Sequence, residues 1–350
     1  MSIIGVNGDI HRKIEGKLAK YGLGEQRQQV KDFLAGGGRP YDARQEQALA
    51  IVESVLSHHG KGEIKRELLQ LARVERLLQP LNHKQRDHVL HAVMTLLLGI
   101  YLNETLEIGV DPFQLKLAAL LHDIAYPLQI GATFGRDFQK HHQRLKSGNA
   151  QTSPEVRFSL RTCGLDRLCN AQSGTELIAE RIDRWGLEVD ARRISQDVQK
   201  GVRMDHGVLG SLMLLKLVDA LYGAHNATMD SGTASTARRW ERTHFNGDVV
   251  TVCASIFLHS LQLDDLGPSK LTSDSHALPF LLRLADELQD WDRPGGAENS
   301  ERSPSQYKIS AEPGVLSFRA PTDRVGRLSD AMACFDGIKI SVSALRRDNP

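Results

Sequence analysis

Cysteine is scarce and unpatterned: Cys163, Cys169, Cys253 and Cys334 form no CxxC pair. That excludes a zinc knuckle and a disulfide framework, and it reads as the reduced thiols of a cytoplasmic protein. Charge of one sign is missing as well. A net charge of +1 provides no global field for nucleic acid or an acidic membrane. No basic stretch is interleaved with aromatics, so nucleic acid is not an expected partner. No apolar run reaches bilayer length, the longest uncharged one being Val89 to Leu102, and no membrane association is expected. The opening residues, MSIIGVNGDIHRKIEG, lack the basic and apolar regions of a signal peptide. Gly36-Gly37-Gly38 runs into Arg39-Pro40 without the GK[ST] ending of a phosphate loop, so it reads as a linker.

Histidine is what the chain does have: fourteen residues, several of them inside apolar segments. The 350 residues can bury a large core and make one large or two ordinary domains. Residues 1–80 read as a mostly solvated helical extension, with apolar residues at helical spacing over Lys13–Tyr21, Asp42–His58 and Glu63–Leu78. Residues 81–293 read as the main helical domain. Its helices are predicted over Val89–Leu102, Phe113–Ala125, Val156–Cys169, Gly174–Trp185, Leu212–Leu221, Val249–Leu261 and Leu278–Trp291. Gly131–Pro154, with His141-His142, and residues 223–248, with Arg238-Arg239, read as polar loops. Residues 294–350 read as a linker and a small β-rich element, with strands near Tyr307–Ser310, Val315–Phe318 and Ile338–Val342. The fold class is therefore mainly α with a small C-terminal β element.

The apolar helices carry polar intrusions of one chemical kind. His88 and His91 share a helix face, His122-Asp123 ends an apolar run, His206 sits at a helix mouth, and His259 and Asp286 lie in apolar helices. Each such group, buried, needs a hydrogen-bond partner of its own. One metal centre satisfies them together and keeps coordination positions open for water and substrate. Adjacent residues on a helix point about 100° apart, so His122 and Asp123 can serve one ligand only near a helix end.

The order His…His-Asp…Asp, with "RDHVLHAV", "AALLHDIAYP" and "LLRLADELQDWDR", resembles the HD-domain superfamily of metal-dependent phosphohydrolases. Together with "DHGVLGS" and "IFLHS", these stretches resemble a bacterial branch of it. The resemblance covers roughly residues 80–293 and implies an HD-domain helical bundle around a metal site. It implies that His91 or His88, together with His122, Asp123 and Asp286, binds a divalent metal (Mn, Mg, Co, Ni, Zn or Fe). His206 and His259 match positions that bind a second ion or contact phosphate. The implied activity is hydrolysis of a phosphorylated small molecule, a nucleotide or related phosphoester. Asp123 would orient or deprotonate water, His206 or His259 would protonate the leaving oxygen, and Arg283 would offset phosphate charge. Asp290 could orient a ligand histidine. The same ligand order fits a di-iron oxygenase of the superfamily and a metal-stabilised nucleotide-sensing domain. Whether the protein is a homo-oligomer is left open by the sequence.

Overall fold

The computed structural model describes residues 14–35, 41–58, 87–133, 135, 164–165, 167–169, 171–228, 242–289 and 307–345. The expected helix over Glu63–Leu78, most of the Gly131–Pro154 loop, His141-His142, Arg238-Arg239 and Asp290 lie outside them. The chain is mainly helical with small C-terminal strands, and it divides into two compact units. Residues 1–121 and 262–350 form one unit, and residues 122–261 the other. This partition differs from the one read off the sequence at 1–80, 81–293 and 294–350. Both the N-terminal helices and the C-terminal strands belong to the first unit.

The first unit holds α1 (Arg27–Ala35), α2 (Tyr41–His58), α3 (His88–Thr105) and α4 (Pro112–Leu121). Helix α3 is buried nearly all round, from Leu90 to Asn103, which explains its lack of a polar face. Asp87 starts it by accepting from the Leu90 amide at 2.6 Å. Proline at the first position of α4 needs no hydrogen-bond acceptor, and the Asp111 carboxylate takes the next two amides, from Phe113 and Gln114. Asn103 organises the α3–α4 turn by bonding both backbone groups of Val110. Later in the chain the unit gains α10 (Ala277–Leu288), α11 (Thr322–Met332) and five short strands. Strands β2 (Lys308–Glu312) and β3 (Val315–Ala320) form the antiparallel hairpin expected of the tail. The sequence reading missed α11, which lets β5 (Lys339–Ala344) return parallel to β3. It also missed the parallel pair β1 (Leu271–Thr272) and β4 (Phe335–Asp336).

Lys116 sits among the apolar residues of α4, buried, and donates to the Tyr21 carbonyl. Burial pushes its ammonium down to about 8. An unfolded lysine holds its proton to about 10.4, so between these values the unfolded chain binds more protons than the folded one. Unfolding free energy is therefore expected to rise as pH climbs from 8 toward 10. Urea midpoints across that window should rise for the wild type and stay flat for Lys116→Met. Equal slopes would show that Lys116 titrates normally.

The second unit holds α5 (Gly174–Arg184), α6 (Ala191–Gln199), α7 (His206–Thr228), a helical turn at Arg242–His244, a π turn at Phe245–Val249, and α8 (Val250–His259). Short α9 (Leu263–Leu266) follows in the first unit. Two expectations are corrected here. The polar segment 223–248 is not all loop, because α7 runs on to Thr228 and helix resumes at Arg242. The described end of Val156–Cys169 is turn and bridge instead of helix. Gly164 has φ 65°, and side chains of α7 take the backbone groups a helix would use. Lys216 donates to the carbonyls of Gly164 and Arg167, and Asp219 accepts from the Cys169 amide at 2.7 Å. Helices α7 and α8 approach so closely at Gly207 that a Cβ there would lie 2.7 Å from the Ile256 carbonyl oxygen. Among the described residues, no helix is long and apolar enough to cross a membrane.

Candidate metal centre

Helix α4 stops at Leu121, and residues 122–125 form a turn before helix resumes at 126. His122 and Asp123 therefore occupy a helix end, the one place where neighbours can address a common point. His122 is fully buried, and its Nε2 lies 3.4 Å from one Asp123 oxygen, Oδ2. The other oxygen, Oδ1, faces His206 Nε2 at 3.3 Å and His259 Nε2 at 3.8 Å. The two imidazoles lie Nε2 to Nε2 at 3.2 Å. His122, Asp123 and His259 each offer a ligand atom within 4.8 Å of the others. Donors about 2.1 Å from a shared ion stand about 3–3.5 Å apart, and the separations of 3.2–3.4 Å fall in that range, so the group could hold an ion.

Hydrogen bonding on the far side of each ring fixes what the near side presents. His259 Nδ1 faces the Ile256 carbonyl at 2.5 Å and must donate to it. His206 Nδ1 faces Gln129 Oε1 at 2.9 Å, an oxygen that also receives the His206 backbone N–H at 2.8 Å. Two lone pairs and a carboxylate thus converge with their proton-bearing atoms turned away. A divalent cation fits this donor set, because it satisfies all of them at once. Asp205, buried just ahead of His206, accepts from the Gly207 and Val208 amides and from Ser260. Burial opposes its ionisation, but hydrogen bonds from Ser260 and Arg203 prevail and hold its carboxyl below the ordinary range. Asp205 thereby ties the start of α7, with His206, to the end of α8, with His259.

The first unit has its own pair. His91 is buried on α3, and its Nε2 lies 2.7 Å from Asp286 Oδ1 on α10. Its Nδ1 bonds Gln289 Oε1, with Thr95 Oγ1 3.4 Å away. Of the two candidates for first histidine, it is His91 that meets Asp286. His88 begins α3, half-buried, beside the capping Asp87. Arg283 is buried on α10 and hydrogen-bonds the side chain of Cys334.

Sequence reasoning missed Gln129, Gln289 and Asp205. A signal existed for two of them: Gln289 lies three residues after Asp286, on the same helical face, and Asp205 stands where a helix cap belongs. For Gln129 there was none. No protein-family model, curated protein or solved structure matches the chain.

Proposed function

We propose that the protein is a metal-dependent phosphohydrolase acting on a nucleotide or related phosphoester. One observation carries the reading: the Asp123 carboxylate lies among the Nε2 atoms of His122, His206 and His259, with His206 and His259 bonded from behind. One or two divalent cations held there would lower the pKa of bound water toward neutrality and polarise a phosphoryl oxygen. The chain's own residues do the rest. Asp123 orients the attacking water or takes its proton. His206, with its side chain 20% exposed against 1% for His259, is the better reached by a leaving oxygen, and it is assigned that oxygen's protonation only in a mononuclear site, where Nε2 takes up a proton in place of a second ion. The sequence resemblance adds His91 and Asp286 to the ligands, and that assignment is part of the proposal.

Arg283 is assigned the phosphate's counter-charge, and its burial against Cys334 gives it a structural duty as well. Arg283→Met is expected to lower the melting temperature and, assayed well below it, to raise KM or lower kcat for phosphorylated substrates. Unchanged kinetics there would leave only the structural duty.

A second reading has one observation in its favour. Asp123 turns its two oxygens to different histidines, as a carboxylate bridging two ions does. A di-iron oxygenase would use that bridge. The deciding experiment is a metal-supplemented screen of nucleoside mono-, di- and triphosphates, cyclic nucleotides and simple phosphoesters, run beside metal analysis and a visible spectrum. Product release that disappears in Asp123→Ala supports the hydrolase. Two irons with an absorbing spectrum and no released product would replace it with the oxygenase. Nucleotide binding without turnover would replace it with a sensing domain.

A further inference from the structure

We propose that Gln129 is the positioning residue that sets the tautomer of His206, an inference that rests on the metal reading of the site. Gln129 lies in the helix that resumes after the His-Asp turn, and its amide oxygen takes two N–H groups of a single residue. A backbone N–H can only donate, so the Gln129 atom facing it is the carbonyl oxygen. The ring nitrogen facing that same oxygen must then carry the proton. In a neutral imidazole this leaves Nε2 bare, and Nε2 is the atom 3.3 Å from Asp123 Oδ1 and 3.2 Å from His259 Nε2.

The clamp does more than choose a tautomer. The His206 amide is among the first N–H groups of α7, which have no partner within their own helix. By taking that amide and the ring together, Gln129 fixes the ring relative to its own backbone. Asp123 and Gln129 belong to one short stretch, joined by the Tyr126 amide bonding the Asp123 carbonyl at 2.9 Å and the Gln129 amide bonding the Ala125 carbonyl at 3.3 Å. A single segment thus supplies both the carboxylate and the group that aims His206 toward it.

The amide is also neutral. A carboxylate behind a ligand histidine raises its basicity, whereas an amide oxygen holds the ring without adding negative charge. Gln129→Glu keeps an acceptor for both N–H groups, and Gln129→Leu removes it at similar volume. The leucine variant is expected to lose about 10–100-fold in metal affinity, the usual cost of losing such a partner. The glutamate variant is expected to bind metal at least as tightly as the wild type.

The test uses the full chain, labelled with 15N-histidine, first free of metal and then titrated with Zn²⁺ and Mn²⁺. The His206 resonances, identified by their loss in His206→Gln, should show protonated Nδ1 and bare Nε2 in the wild type and in Gln129→Glu. They should shift toward the other tautomer in Gln129→Leu, with weaker metal binding. A wild type protonated at Nε2 would overturn the proposal, and so would a leucine variant with unchanged tautomer and affinity. If Gln129→Leu fails to fold, a glutamate variant with altered tautomer would overturn it equally. Both readouts need no substrate, so a protein that hydrolyses nothing leaves this inference standing. Failure of the wild type to bind either metal would remove the metal reading, while the tautomer would still decide the role of Gln129.

Discussion

On the proposed reading, replacing Asp123 with alanine is expected to abolish metal retention and the proposed hydrolysis while leaving the helices in place. Removing a partner behind a metal ligand costs about 10–100-fold in affinity, so losing a carboxylate that faces three imidazoles is expected to cost more, on the order of a thousandfold. The helices should survive because the Asp123 backbone carbonyl, which anchors the next helix through Tyr126, is untouched. A ligand that binds only the folded state stabilises it by about 2.7 kcal/mol at a hundred times its Kd, enough to raise the melting temperature by several degrees. Wild-type protein should show that rise on adding metal, and Asp123→Ala should melt at the same temperature with or without it. Metal content by mass spectrometry, helicity by circular dichroism and paired melting curves check the three parts. Wild-type metal content in the variant would remove Asp123 from the site. His91→Ala, assayed alongside, tests whether the resemblance assigned that residue to the same ion.

The second large effect comes from a hydrogen atom. Gly207→Ala would set a Cβ 2.1 Å from Ser260 Oγ and 2.7 Å from the Ile256 carbonyl oxygen. Neither neighbour can yield cheaply. Ser260 is held by its 2.6 Å bond to Asp205, and the Ile256 carbonyl holds the His259 ring. Overpacking of this kind costs about 1–3 kcal/mol, and a backbone obstacle puts the expected loss at the upper end. Displacing Ile256 also moves His259, so metal affinity should fall together with stability. Gly210→Ala is the control. Its Cβ meets the Ile124 side chain at 3.3 Å, and alanine's better helix propensity, worth about 1 kcal/mol, offsets the contact. A Gly207→Ala protein as stable as Gly210→Ala would show that α7 and α8 can part without loss.

The buried helices were legible because their apolar residues run without a polar face, and His122-Asp123 because a charged pair in such company needs a reason. A helix end beneath the pair was legible in kind but not in place: helix was expected to run on to Ala125, and it stops at Leu121, before the pair. Helix α6 was missed although Asp190 caps it and Ala191, Ile194 and Val198 repeat at helical spacing. Its many charged and polar residues hid a narrow apolar stripe. The parallel return of β5 was missed because α11, polar on most of its surface, reads locally as a loop between strands. The grouping of residues 262–350 with the N-terminal helices depends on contacts distant in sequence, which no local pattern carries. Gln129 was beyond reach for the same reason. An amide gains its role only when folding brings a helix start, 77 residues later, to its oxygen.

The second unit is an insertion, and the chain enters it at His122 and leaves it just after His259. Their rings meet edge to face with centroids 5.0 Å apart. An ion bound by both would act as a clasp across the neck of a loop that contains the whole unit. In polymer terms, cross-linking a loop of that length removes about 5 kcal/mol of chain entropy from the unfolded state. On the proposed reading, the residues assigned the chemistry would also be the knot that keeps the insertion closed.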